Sequence, residues 1–321
     1  MPPAPLRTLV SNRMPCWWRR PASWIFTLET LDALGVPSFT EIYGAARKAF
    51  PDAALGGGVM TNFTELNRNH PTPDLFDFIS HTTCAVVHEV DDRSVMETLQ
   101  SLPSIIASVR AMAGGKPYRV GPSAIGMRYN PYGPSTYDNQ SNIRMAFNQQ
   151  EPRHRASAFI LGYIARMAAG GVEAVSLGAA VGEFGLAYGK MSHPQPWYDD
   201  VKADGGGWVF PLCHIVAAMS GATGAQMVDV ASSSADKILG LSYQTPTGQM
   251  LWLANLTPGP QKVSISGLPP GAAHIGHLDE DNFVAAVTRP ADFAADSGPL
   301  GDASALELGA YAVARIEVTM P

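Results

Sequence analysis

Across residues 55–123 the sequence repeats one rhythm: a short apolar run, a cluster of polar residues directly after it, then a helical stretch. The apolar run at 53–60 is followed by Asn62, Thr64, Glu65, Asn67, Arg68 and His70. The run at 76–80 leads into His81, Thr82 and Thr83, and that at 84–87 into His88, Glu89, Asp91 and Asp92. A third strand at 118–122 opens onto Arg128, Tyr129 and Asn130. This rhythm narrows the fold sharply, because parallel strands need long crossovers and these are usually helices. When such units close into a barrel, the loops after the strand C-termini build the active site. Polar clusters at that position therefore point to catalysis.

The flanking segments extend the pattern. Ser38 with Glu41 forms a capping box opening a helix that stops before Pro51. After Asp91 and Asp92, which read as helix caps, Val95, Leu99, Leu102, Ile106 and Val109 recur at helical spacing, predicting one long amphipathic helix bent at Pro103. Residues 130–153, rich in Asn, Gln, Pro, Ser and Tyr, are too long for a plain connector and read as a lid or binding loop. An apolar helix at 156–169 precedes a fourth strand at 172–177, whose loop carries Glu183, and another apolar helix covers 208–219.

Beyond residue 237 short alternating runs replace the strand-helix rhythm, at 238–243, 250–256, 262–265, 274–278, 283–287 and 311–318. In the last run Ala312, Ala314, Ile316 and Val318 share one face, as in a β-sandwich. The expected fold is thus α/β plus all-β: residues 1–37 a leader, 38–236 a partial (β/α) barrel, and 237–321 an antiparallel β-sandwich domain. Only four βα units are visible where a closed barrel has eight, so the first part reads as the C-terminal half of a TIM-type (β/α)8 barrel. Open strand edges predict a homo-oligomer, or a partner supplying the missing half barrel.

Composition removes several functions. A net charge of -6 with no basic stripe argues against nucleic acid and against anionic membrane surfaces. Three widely spaced cysteines, Cys16, Cys84 and Cys213, fit a reducing compartment, and the absence of a signal-peptide core or long apolar span suggests a cytoplasmic protein. No GxSxG elbow appears, and Gly56-Gly57-Gly58 lacks dinucleotide-binding spacing, so no cofactor is implied.

Among the polar residues, Glu65 is the leading acid/base or substrate-binding group; the plain alternative is a solvated carboxylate. His81, read as ending a strand, aims at the barrel mouth, or else is hydrogen-bonded between strands. His88 and Glu89 sit on a loop where a neutral imidazole can activate water or bind a hydroxyl. Arg128, Tyr129 and Asn130 suit a carboxylate or polyol clamp, and Glu183, in a Gly-rich loop, reaches the same mouth. A metal site from Glu65, His81 and His88 lacks supporting spacing, so none is expected. His193 and His214 read as bland.

Three blocks carry a family resemblance: Gly56-Gly57-Gly58 with Phe63-Thr64-Glu65-Leu66-Asn67-Arg68; Ile79-Ser80-His81-Thr82-Thr83-Cys84 with His88 and Asp91-Asp92-Arg93-Ser94-Val95-Met96; and Arg119-Val120-Gly121-Pro122-Ser123 with Arg128 and Asn130-Pro131-Tyr132-Gly133. From about residue 36 onward the chain resembles the D-apionate lactonase family. The resemblance implies a barrel related to clan A glycoside hydrolases with a C-terminal β-domain, opening D-apionolactone to D-apionate in apiose catabolism. Members are longer, so it also implies that the first half of the barrel is missing, along with the strand that carries the clan's acid/base carboxylate. On this reading Glu65 or His88 is the base that activates water, and His81, Asn67 or Arg128 holds the oxyanion or orients the ring, with Arg68 and Glu89 beside them. The alternatives are a clan A glycoside hydrolase, with Glu65 and Glu183 as the carboxylate pair, and a non-catalytic carbohydrate-binding remnant.

Overall fold

The computed structural model describes residues 37–86, 91–126, 155–177, 179–182, 184–190, 197–200 and 208–321. Helix α1 (Phe39–Ala49) starts at the capping box: the Ser38 side chain accepts from the Glu41 N–H while the Glu41 carboxylate accepts from the Ser38 N–H. Strand β1 (Gly56–Asn62) passes directly into α2 (Phe63–Arg68), so the polar cluster read as a loop is helical. Strand β2 (Phe78–Cys84) is continuous where the sequence suggested two short pieces.

The helical run after β2 is split. α3 (Asp92–Glu97) ends in a 3-10 turn at Thr98–Gln100, and α4 (Leu102–Met112) begins with Pro103 in its first turn. Proline has no N–H to donate and is tolerated there, so the predicted bend becomes a break. Asp91 caps α3 by accepting from the Ser94 N–H at 3.0 Å, and Asp92 pairs with Arg155.

β3 (Tyr118–Ala124), α5 (Arg155–Ala169) and β4 (Ala174–Leu177) complete a parallel sheet in the order β1-β2-β3-β4. Sequential parallel neighbours joined through helices are the repeating unit of a (β/α) barrel. The helix-facing side of the sheet carries Ile79, Tyr118 and Val120, all buried. The opposite side carries Phe78 and Arg119, whose guanidinium lies 4.2 Å from the Phe78 ring centroid and pairs with Glu173 at 2.5 Å.

A small pair, β5 (Ala179–Val181) with β6 (Gly185–Ala187), and helix α6 (Leu212–Gly221) lead into the second part. There β7 (Met227–Val228), β8 (Ile238–Thr245), β9 (Gly248–Asn255), β11 (Ala272–Leu278), β12 (Gly298–Pro299) and β14 (Val313–Thr319) form a six-stranded sheet in the order β12-β11-β14-β9-β8-β7. It packs over the pair β10 (Gln261–Val263) and β13 (Leu306–Leu308). Between the two sheets lie Leu251, Leu253, Leu308, Ala312, Ala314, Ile316 and Val318. The alternation read in the last strand is therefore the inner face of this sandwich. One expected strand is corrected: residues 283–287 belong to α7 (Phe283–Thr288), followed by α8 (Pro290–Ala295). Phe-Val-Ala-Ala-Val suits strand or helix, and packing decides, because Ala286 and Val287 are fully buried in the main core.

Candidate active site

The last residues of the four parallel strands meet at a pocket of about 350 Å³. Asn62 comes from the end of β1, Thr82 to Cys84 from β2, Ser123 and Ala124 from β3 and Leu177 from β4, with α2, α4 and α5 closing the sides. The route into α2 is set by Gly58, whose φ of +128° leaves room for the Ser80 carbonyl; a Cβ there would stand 1.9 Å from that oxygen.

Within α2, Leu66 is fully buried and anchors the helix, while Glu65 and Arg68 sit three residues apart on the face that lines the pocket. Their carboxylate and guanidinium are 4.0 Å apart, and both side chains stay about half exposed, at 47% and 53%. Asn67 is exposed and lies off the pocket lining.

His81 sits mid-strand, because β2 runs three residues past it, and alternation places it with Ile79 on the helix-facing side. Its ring is fully buried against Tyr118, with an edge contact to Phe63 of α2. Nδ1–H donates to the Thr82 carbonyl at 2.8 Å, which leaves Nε2 to accept from the Tyr118 hydroxyl at 2.6 Å. Burial pushes the histidine pKa down, so the ring is neutral, and pushes the Tyr118 phenol up. The ring is thus an interior group beneath α2, away from the pocket lining. His88, Glu89, Arg128, Tyr129, Asn130 and Glu183 lie outside the described residues.

The pocket floor also holds side chains that the sequence analysis did not single out. Tyr163 of α5 reaches between β2 and β3, its hydroxyl 2.8 Å from Thr83 Oγ1 and 2.9 Å from Ser123 Oγ. Burial pushes its phenol up to about 12, and the two hydroxyl partners oppose that shift. Tyr163 reads in sequence as one more apolar-face residue of a buried helix; only the approach of α5 to the strand ends shows the hydroxyl's destination. Among the described residues no group of three or more His, Cys, Asp or Glu is placed to hold a metal.

Residues 28–224 match the family model for the D-apionate lactonase TIM barrel domain, and residues 235–316 match that for the D-apionate lactonase C-terminal immunoglobulin-like domain. The chain belongs to the D-apionate lactonase family. A D-apionate lactonase of Brucella anthropi is 41% identical over 233 residues, covering 72% of this chain and 36% of that relative. The chain therefore spans about a third of the length of this family member. Among solved structures, a GH30 endoxylanase from Clostridium papyrosolvens superposes with a TM-score of 0.50 at 8% identity, covering 88% of this chain and 61% of the xylanase. At that identity the likeness speaks to fold alone: a glycoside-hydrolase-type barrel followed by a β-domain. Among the described residues no helix is long and apolar enough to cross a membrane.

Proposed function

We propose that this chain provides part of a lactonase site that opens a sugar lactone, D-apionolactone to D-apionate. The observation that carries the reading is a carboxylate and a guanidinium side by side on α2, at the rim of a pocket formed by four strand C-termini, in a chain of this family. In the proposed reaction Glu65 takes a proton from water as the water oxygen bonds to the lactone carbonyl carbon. Arg68 stabilises the oxyanion that develops. Collapse of the tetrahedral intermediate breaks the ring C–O bond, and the proton returns to the leaving alkoxide, giving the open hydroxy acid. His81 has both nitrogens engaged and acts as a positioning residue that supports α2 through Phe63.

A clan A glycosidase mechanism needs two carboxylates about 5 or 6.5–9.5 Å apart. Among the described residues lining the pocket, Glu65 is the one carboxylate. The test is hydrolysis of D-apionolactone followed by base uptake at constant pH, alongside a circular-dichroism melt. Turnover above the spontaneous rate is expected, with Glu65→Gln slowing kcat roughly 100-fold or more. Full rate in Glu65→Gln removes Glu65 as the base; a cooperatively folded wild-type sample without turnover overturns the lactonase reading for this chain.

A further inference from the structure

Thr83, Tyr163 and Ser123 form a chain of three hydroxyls at the pocket floor, and the scheme above does not use them. Tyr163 stands in the middle with a single proton, so it donates to at most one neighbour and either bond can run in either direction. Whichever way its bond to Tyr163 runs, Thr83 Oγ1 keeps a proton or a lone pair outside the chain. Ser123 is buried, 2% exposed, whereas Thr83 is only partly buried. The unspent valence is therefore accessible at Thr83 Oγ1. An alcohol matches either direction of the chain, since it both donates and accepts; a C–H group matches neither. Phe159 and Leu102, which line the same pocket, supply apolar surface for the carbon skeleton of a small polyol.

We infer that the Thr83–Tyr163–Ser123 chain is the specificity element of this pocket, holding a ring hydroxyl of a small hydroxylated lactone or sugar acid through Thr83 Oγ1. Tyr163 and Ser123 act as positioning residues, orienting Thr83 without touching the reacting atoms. The inference rests on the proposed function for its substrate class, while its test reads binding separately from turnover.

The probes are D-erythronolactone, a dihydroxy five-membered lactone, and γ-butyrolactone, the same ring without hydroxyls. Thermal melts and initial rates are measured with each for the wild-type chain, Thr83→Val, Tyr163→Phe and Ser123→Ala, with a ligand-free melt to confirm that each variant folds. D-erythronolactone should stabilise the wild type and γ-butyrolactone should not. Thr83→Val keeps the shape of the side chain and should weaken D-erythronolactone binding roughly tenfold or more, because an unmatched polar group in a closed site is what discriminates between such ligands. Tyr163→Phe and Ser123→Ala should weaken it less. If the wild type binds D-erythronolactone and Thr83→Val loses that binding, the hydroxyl chain stands whether or not the protein opens D-apionolactone, and the lactonase reading is decided by that turnover alone. If Thr83→Val binds D-erythronolactone as the wild type does, or the wild type is stabilised by neither or equally by both lactones, the inference is overturned. Should Tyr163→Phe fail to fold, the isosteric Thr83→Val still decides.

Discussion

Asn255, fully buried at the end of β9, shows how much one polar side chain organises. Its amide nitrogen donates toward the carbonyls of Gly309 at 2.7 Å, Gly259 at 2.8 Å and Leu308 at 3.2 Å, and its oxygen accepts from the Thr257 N–H and hydroxyl. Asn255→Asp places an acceptor against those carbonyls and should cost about 3 kcal/mol or more, and Asn255→Ala about 2 kcal/mol, read from urea unfolding. His81 leads to a pH prediction. Its folded pKa lies below the ordinary 6.5, so the unfolded chain takes up the proton first as pH falls. The stability that depends on a neutral ring is complete above 6.5 and declines below it, toward the folded value. His214, half-buried and also lowered, adds in the same direction. Urea midpoints measured from pH 7.5 down to 5 should therefore fall less steeply in His81→Gln than in the wild type. Parallel curves for the two proteins would show that His81 is not the titrating group.

At the scale of elements, the acid limit is written into the tie between α1 and the first two strands. Asp77, just before β2, accepts from the Leu55 N–H at 2.7 Å and pairs with Arg47 of α1, also at 2.7 Å. The Arg47 hydrogen bond, then the backbone bond from Leu55, hold its carboxyl down to about 2 from 3.8. A depressed carboxylate contributes stability above its unfolded pKa and loses it as pH falls through the folded one. Asp77→Asn should accordingly flatten the stability profile between about pH 4 and pH 2 while changing it little near neutrality, because the pair is partly solvated. A thermal melt series in that window checks it. The same elements show where periodicity was a sound guide. The capping box at Ser38 and the spacing after Asp91 place helices correctly, since both depend on residues within a few positions of one another. Pro103 marked the interruption of that run as a bend and not as the break at residues 98–101, and the helix at 283–288 was not legible: an apolar run without a stop signal does not report which partner surface it will meet.

For the whole molecule, α5 is the common wall. Eleven of its fifteen residues are buried, and it packs against α4 and α6 on the barrel side and β8 and β9 on the sandwich side. One continuous core results, running from Leu66 and Ile79 to Trp252 and Val313. At Gly162 residues of both parts crowd the helix: a Cβ there would stand 2.8 Å from Leu99, 3.3 Å from Leu239 and 3.4 Å from Leu256. Gly162→Leu should cost about 1–3 kcal/mol or more through overpacking. Because the core is shared, both parts should unfold in one calorimetric transition in the wild type, and the variant should split that transition or lower all of it. Two transitions in the wild type would show that the parts fold independently.

The strand-helix rhythm, the switch to an antiparallel β-domain and the placement of Glu65 and Arg68 just past a strand are all written in the amino-acid order. Each of these follows from short-range periodicity, capping and turn chemistry, which act within a few residues. That His81 turns into the interior and that Tyr163 meets Thr83 and Ser123 emerges from the packing of the folded chain. Those outcomes depend on where a strand ends and on which helix packs over it, between residues up to 80 positions apart. A side chain's chemistry is local, but its partner is chosen by packing.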